Sequence, residues 1–255
     1  MILDFPKIDL NNYKSNSQKI RILSEAWLLQ NAYCPSCKIA LQKFENNHEL
    51  ADFYCDKCKE EFELKSKKSS TANPKKIADG EYFTKIKRLK SDNNPNLFFL
   101  TYQDKKICNL IFVPKYYFTE HIIERRKQLA LTARRAGWTG SNIILSQIPE
   151  NGKIFIIKDS QKIVDSKIDK KIKSTSFLKT EKIKNRGWVL DILNCVNKIK
   201  KTAFDLKDMY KFENDLKKLH PDNNHIKDKI RQQLQLLRNK KLLQFLGNGK
   251  YRIIV

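Results

Sequence analysis

Residues 51–65 run Ala51-Asp52-Phe53-Tyr54-Cys55-Asp56-Lys57-Cys58-Lys59-Glu60-Glu61-Phe62-Glu63-Leu64-Lys65. A short apolar run carrying one carboxylate is followed by a second run in which a carboxylate and a lysine stand two residues apart. Alternate side chains of a strand share a face, so Glu63 and Lys65 should point the same way, about 7 Å apart, with Phe62 and Leu64 on the other side. If the segments flanking Cys55 and Cys58 pair as a hairpin, Asp52 reaches the same pocket. Metal-dependent phosphodiester cleavage needs such a trio. Two carboxylates hold a divalent ion, and an ammonium group stabilises the attacking hydroxide or the charge building on phosphate. An isolated Glu-x-Lys is common in any lysine-rich chain, so its surroundings carry the argument.

Four cysteines form two C-x-x-C pairs, Cys34-Pro35-Ser36-Cys37 and Cys55-Asp56-Lys57-Cys58, separated by residues 38–54. This spacing fits a tetrahedral structural zinc site. Two disulfides in a secreted chain, or a redox pair, are the competing readings. Met1-Ile2-Leu3-Asp4 begins no signal peptide, and no apolar run approaches membrane-spanning length, so a soluble, cytoplasmic protein is expected. Four sulfur ligands leave no open position, which makes the zinc structural and places it beside the acidic hairpin. Cys108 and Cys195 sit among apolar residues and read as buried thiols.

The chain has 255 residues, with 51 Lys plus Arg against 28 Asp plus Glu, a formal net charge of +23. Such an excess favours a polyanionic partner, nucleic acid or an anionic membrane surface. Richness in Lys, Asn and Ile can also reflect an AT-rich genome, which raises lysine content without arranging a site. The four histidines, His48, His121, His220 and His225, are scattered and form no i, i+4 ligand pair.

Ser15 or Ser17 can cap an opening helix over 15–30 in which Ile20, Leu23 and Trp27 recur at helical spacing. Residues 66–76 read as a mobile loop and 78–89 as a second helix. Residues 97–102, 108–113 and 153–157 read as core strands. An α/β domain with a mixed sheet is thus expected over 1–165. Residues 166–185, lysine- and serine-rich without a clean period, read as a linker. Helices over 188–199, 206–219 and from the Asn224 cap to about 240, then a hairpin turning at Gly247-Asn248-Gly249, describe a winged helix over 186–255. That segment holds 16 Lys plus Arg and 7 Asp plus Glu, a net of +9, leaving +14 elsewhere, so both lobes are basic. In the third helix Ile226, Ile230, Leu234 and Leu237 form the buried stripe. Lys227, Arg231, Gln232 and Gln235 lie on or near the opposite face, where Arg can read guanine and Gln adenine in the major groove. An ordinary solvated face is the competing reading.

With these pieces together, the chain resembles the DpnI family of restriction endonucleases over nearly its whole length. The resemblance rests on Tyr13-Lys14-Ser15-Asn16-Ser17-Gln18-Lys19, Ala51 to Cys55 and Phe62-Glu63-Leu64-Lys65-Ser66-Lys67-Lys68. It continues through Asp92-Asn93-Asn94-Pro95-Asn96, Thr132-Ala133-Arg134-Arg135-Ala136-Gly137-Trp138, Asn224 to Lys227 and Lys229 to Leu234. It implies a PD-(D/E)XK catalytic domain with a four-cysteine zinc site followed by a winged helix. The activity it implies is magnesium-dependent cleavage of double-stranded DNA at GATC carrying N6-methyladenine, by a monomer. Under this resemblance Asp52 and Glu63, with the Leu64 carbonyl, would hold magnesium, and Lys65 would orient or activate water. Trp138 would read the methyl group, in a stretch whose Arg134 and Arg135 meet DNA. The superfamily's proline before the first aspartate is Ala51 here; it is not a ligand.

A zinc-ribbon and winged-helix regulator without catalysis is the alternative; it would leave Asp52, Glu63 and Lys65 as surface charges. His220-Pro221-Asp222 also resembles a co-chaperone loop, but its setting reads as the turn between the second and third helices of the winged helix.

Overall fold

A computed structural model describes residues 2–45, 51–71 and 74–254. His48 and part of the stretch expected to be a loop, residues 72–73, lie outside the described residues. The first lobe opens with helix α1 (Asn16–Asn31), capped by Ser15: the Gln18 N–H donates to Ser15 Oγ and the Gln18 side chain returns to the Ser15 N–H. Strands β1 (Gln42–Lys43), β2 (Phe53–Tyr54), β3 (Glu61–Lys68) and β4 (Ile77–Glu81) follow, then helix α2 (Tyr82–Lys90), β5 (Asn96–Gln103) and β6 (Lys106–Val113). Short strands β7 (Ile123–Arg125) and β8 (Gly140–Ile143), then β9 (Ile154–Lys158), β10 (Gln161–Lys162) and helix α3 (Asp165–Thr175), complete it.

Seven of these strands form one sheet in the order β1-β2-β3-β5-β6-β9-β10. The β3–β5 pair is parallel and its other pairs are antiparallel, so the sheet is mixed. Strand β5 lies between β3 and β6 and is buried on both faces, which is why Leu97-Phe98-Phe99-Leu100 is an unbroken apolar run. Its alternation sorts residues between two cores. Phe98 and Leu100 join Trp27 and Leu28 of α1 and Ile168 of α3, while Leu97 and Phe99 face the opposite core with Leu89 of α2. A second, three-stranded sheet, β4-β8-β7, stands apart from the first.

Three expectations need correction here. Residues 66–68 extend β3, and 77–81 form β4 rather than the first turn of a helix; α2 starts only at Tyr82, with the Glu81 carboxylate accepting from the Thr84 N–H. The first half of the stretch 166–185, expected to be a linker, belongs to α3, and its last residues open α4 at Ile183. The apolar stripe of α3 is narrow, Ile168 and Ile172, yet both pack into the core under α1.

The second lobe comprises α4 (Ile183–Ile199), β11 (Ala203–Asp205), α5 (Leu206–Tyr210), α6 (Glu213–Leu219), α7 (Ile226–Asn239), β12 (Leu243–Gly247) and β13 (Lys250–Ile253). The helix expected over 206–219 is broken at Lys211–Phe212, which lets both Met209 and Leu216 face the core. Asn224 does not cap α7. The Asn223 side chain accepts from the His225 N–H, and Asn224 takes the Lys217 ammonium. His220-Pro221-Asp222 is the turn between α6 and α7, closed by Asn223 N–H to His220 C=O. The wing pairs as β11-β13-β12, turning through Gly247 (φ 89°), Asn248 (φ 48°) and Gly249 (φ 70°), left-handed conformations that suit glycine and asparagine. Six consecutive residues of α4, Trp188 to Leu193, are buried. A helix buried all round has neighbours on every side, and one continuous core joins α4 both to Tyr117 and Phe99 of the first lobe and to α7.

Leu234 in α7 is fully buried in that shared core. Leu234→Ala should lower unfolding free energy by about 2–5 kcal/mol. In urea the loss should appear in one transition common to both lobes, rather than in a separate early transition of the winged helix.

Candidate active site and nucleic-acid surface

The β2–β3 hairpin sets the geometry. Phe53 pairs with Phe62, the Asp52 N–H donates to the Phe62 carbonyl, and the Leu64 N–H donates back to Asp52 Oδ2 at 2.7 Å. Phe62 stacks on Phe98 in the core at 5.3 Å between ring centroids, with Leu64 packed against the same core. Glu63 and Lys65 therefore turn to the other face. Asp52, Glu63 and Lys65 line one open cavity of about 670 Å³.

Two residues not anticipated from sequence share this cavity. Lys65 Nζ lies 2.7 Å from Glu63 and 2.8 Å from Asp79; Lys85 Nζ lies 3.1 Å from each of the same two carboxylates. The four side chains make a square of alternating charge. Asp79 is 2% exposed and Lys85 9% exposed, so neither is a casual surface charge. Burial opposes ionisation of Asp79, but the ammonium groups of Lys85 and Lys65 outweigh it and hold its carboxyl well below the usual range. Burial likewise opposes the charge on Lys65, and Glu63 and Asp79 hold it well above the usual lysine range. Asp52 differs. Burial raises its carboxyl, the Leu64 N–H pulls it back, Glu63 and Glu25 push it further up, and the Lys65 ammonium only partly offsets them. No ion pair reaches Asp52 among the described residues. Two carboxylates on the open side of a cavity, one of them short of positive charge, are oxygen donors suited to a hard divalent cation. Glu25 of α1 adds another buried carboxylate to the wall, already paired with Arg21 at 2.5 Å and Lys43 at 2.8 Å.

Beside this cavity the two C-x-x-C pairs meet. The ligand atoms of Cys34, Cys37, Cys55 and Cys58 all lie within 4.8 Å of one another, and Cys34 Sγ is 3.7 Å from Cys58 Sγ. Tetrahedral bonds of about 2.3 Å to one ion would put sulfurs roughly 3.8 Å apart. All four thiols are free of disulfide, so the disulfide reading is set aside. The two turns repeat each other. Lys38 N–H donates to Cys34 C=O and Lys59 N–H to Cys55 C=O, with Lys38 (φ 60°) and Lys59 (φ 56°) both left-handed. Burial pushes the Cys34 thiol well up and that of Cys58 up to about 11, whereas at Cys55 hydrogen bonds from Cys58 and Lys57 outweigh burial and lower it; thiolates at Cys34 and Cys58 call for a compensating cation. The set could hold one metal ion, tying the end of α1 to the tip of the acidic hairpin.

Trp138 stands on the loop between β7 and β8, which is laddered: Arg126 N–H donates to Gly140 C=O, Leu129 N–H to Trp138 C=O, and Gly137 N–H to Leu129 C=O. Trp138 is half-buried, with the Arg135 guanidinium over its ring at 4.6 Å, and Arg134 is exposed. Gly140, the first residue of β8, pairs with Glu81 of β4, the strand that carries Asp79, so the loop enters β8 beside a residue that lines the cavity. Leu131 at its far end is 90% exposed.

On α7, Ile226, Ile230, Leu234 and Leu237 are buried, and Lys227, Arg231, Gln232 and Gln235 are exposed. Lys227 pairs with Glu213 at 3.3 Å, Arg231 contacts Asp228 and the Tyr210 hydroxyl, and Gln232 accepts from Lys229. These contacts are exposed and cheap to exchange for a polyanion.

A mixed-sheet lobe with a carboxylate–lysine cavity, joined to a basic winged helix, defines a nucleic-acid-acting protein with a metal-site-like centre. The chain belongs to the DpnI Dam-replacing family, whose model matches residues 1–181; the family's HTH-domain model matches residues 184–253. Membership implies a DNA endonuclease with a winged-helix DNA-binding domain. No helix among the described residues is long and apolar enough to cross a membrane.

A Cβ on Gly140 would sit 2.7 Å from the Trp138 ring. Gly140→Ala should therefore displace the indole, read as a red-shifted tryptophan emission with the circular dichroism spectrum unchanged. An unaltered emission would contradict the packing described.

Proposed function

We propose that this chain is a methylation-dependent restriction endonuclease of the PD-(D/E)XK class, hydrolysing double-stranded DNA at GATC that carries N6-methyladenine, with magnesium at the cavity and zinc at the cysteines. The observation that carries the reading is the convergence of Asp52, Glu63 and Lys65 in one open cavity on a basic, winged-helix protein. Asp52 and Glu63 would hold the magnesium, helped by the Leu64 carbonyl. Bound there, the ion would supply Lewis-acid polarisation of the phosphate and a water of lowered pKa.

The chain's own groups account for the rest. Lys65, gripped by Glu63 and Asp79, is fixed as a cationic donor facing the space where phosphate oxygens would lie. Asp79 acts through Lys65 as a positioning residue. Lys85 offsets the carboxylates while no DNA is present and stays close enough to Glu63 to restrain its rotamer.

Recognition would use two surfaces. Arg134, Arg135 and Trp138 would enter the DNA beside the cavity, and Lys227, Arg231, Gln232 and Gln235 would meet the major groove from α7. Two readers have a physical rationale. Burying one methyl carbon gains about 0.8 kcal/mol, only a few-fold in affinity. Discrimination between methylated and unmethylated sites sharpens when several such contacts act on one cleavage event. Host DNA must then be unmethylated at these sites, with modified incoming DNA as substrate in a restriction system.

Matched plasmids, methylated and unmethylated at adenine, provide the test in the presence and absence of magnesium. Only methylated plasmid with magnesium should be cut, and Lys65→Ala should lower the rate by about a thousandfold or more while leaving DNA affinity within a few-fold. Plasmid left intact under every condition, with DNA still bound, would instead identify a non-catalytic regulator.

A further inference from the structure

Apart from the cysteines, one other group of ligand-type side chains gathers among the described residues: His121, Asp191 and His220, with one ligand atom of each within 4.8 Å of the others. The three come from separate parts of the chain. His121 lies in the short turn before β7 in the first lobe, Asp191 on α4, and His220 at the end of α6 in the winged helix. Neither the cleavage chemistry nor DNA reading uses them.

Several features make this more than three neighbours on a surface. Asp191 is a carboxylate only 9% exposed, on α4, whose residues belong to the core that both lobes share. His220 Nε2 is 2.8 Å from Asp191 Oδ2, and its ring is fixed by stacking on Trp188 at 3.6 Å, nearly parallel at 14°. The His121 ring stands edge-on to His220 at 5.8 Å and is exposed, so it can swing toward the pair. A cavity of about 90 Å³ opens beside His121 and Asp191, with Asp215 and Lys198 also in its wall. That is room for an ion with a water or two, since a water occupies about 30 Å³.

We propose that His121, Asp191 and His220 form a second metal site, which takes a borderline divalent transition ion and clasps the winged helix to the catalytic lobe. Two imidazoles and one carboxylate favour zinc, cobalt or nickel over magnesium or calcium, which prefer all-oxygen shells. Three protein ligands leave a fourth position for water from the adjoining cavity. On binding, His220 Nε2 exchanges its hydrogen bond to Asp191 for the ion, and each ligating imidazole nitrogen gives its lone pair to the metal with the ring proton on the other nitrogen. The ion would neutralise Asp191 and join segments about seventy and a hundred residues apart in sequence, a cross-link that acts on the arrangement of the lobes.

Calorimetric titration of full-length, zinc-loaded protein with Ni²⁺, in excess Mg²⁺ to occupy the oxygen-lined cavity, tests this. One further ion per chain should bind with micromolar affinity. His121→Ala should weaken it by about tenfold or more, whereas His225→Ala should leave it unchanged. His220→Ala removes a ring stacked on Trp188 and so also acts on stability; His121 is exposed, and its variant keeps the experiment decisive. Bound Co²⁺ should show visible bands without sulfur-to-cobalt absorption, and Ni²⁺ should quench tryptophan emission through Trp188. Absence of saturable Ni²⁺ binding, or binding indifferent to His121→Ala, overturns the proposal. None of these readouts depends on nuclease activity.

Discussion

A slip of one residue in the pairing of β2 with β3 would turn Glu63 and Lys65 into the core and Phe62 and Leu64 into the cavity. Everything at the candidate centre rests on that register. Two constraints hold it from opposite sides. The Phe62–Phe98 stack and the neighbouring Phe112 fix the apolar face. At the hairpin tip, Cys55 and Cys58 meet Cys34 and Cys37 from the end of α1, so a metal held there would pin the turn itself. The parallel partner β5 then locks β3 along its length, from Phe62 against Asn96 to Lys68 against Tyr102. A structural ion and a catalytic one would thus share a single strand pair, one holding it and the other using it.

The charge square exploits that rigidity. In a protein of net charge +23, the centre gathers carboxylates, and Glu63 and Asp79 are each answered by both Lys65 and Lys85. Mutual attraction in a partly buried setting offsets desolvation only when every partner is present. Removing one member of such a set leaves a buried charge uncompensated, commonly at about 3–5 kcal/mol. The arrangement keeps Lys65 charged and aimed without a ligand, and Asp52 is left as the least compensated carboxylate of the site. The electrostatics of the chain alone therefore leave a gap that the proposed divalent cation would fill.

Much of this was legible in the amino-acid sequence because its signals are local. A serine cap at Ser15 or Ser17, the two C-x-x-C pairs, the alternation through Glu63 and Lys65, the apolar runs of β5, β6 and β9, and the glycine turn of the wing each lie within a few residues. Asp79 was not legible. Ala78-Asp79-Gly80-Glu81 has no distinct period, and its strand exists only because β8, some sixty residues later, pairs with it. Lys85 looks like any lysine on an amphipathic helix until that strand brings Asp79 beneath it. The helix α3 was hidden for the opposite reason: lysines surround a stripe of two isoleucines, too narrow to stand out against the composition. The break between α5 and α6 is likewise set by tertiary packing, since Met209 and Leu216 reach the core together only if the chain bends between them.

The central claim is that Asp52 and Glu63 together take a divalent cation in the cavity they line. Electron paramagnetic resonance with Mn²⁺ in place of magnesium measures this directly, with short methylated duplex DNA present and the zinc-loaded protein intact. The account predicts saturable Mn²⁺ binding that is lost in Asp52→Asn and in Glu63→Gln while both variants still hold the duplex. Mn²⁺ bound equally well by the parent protein and both variants would contradict it.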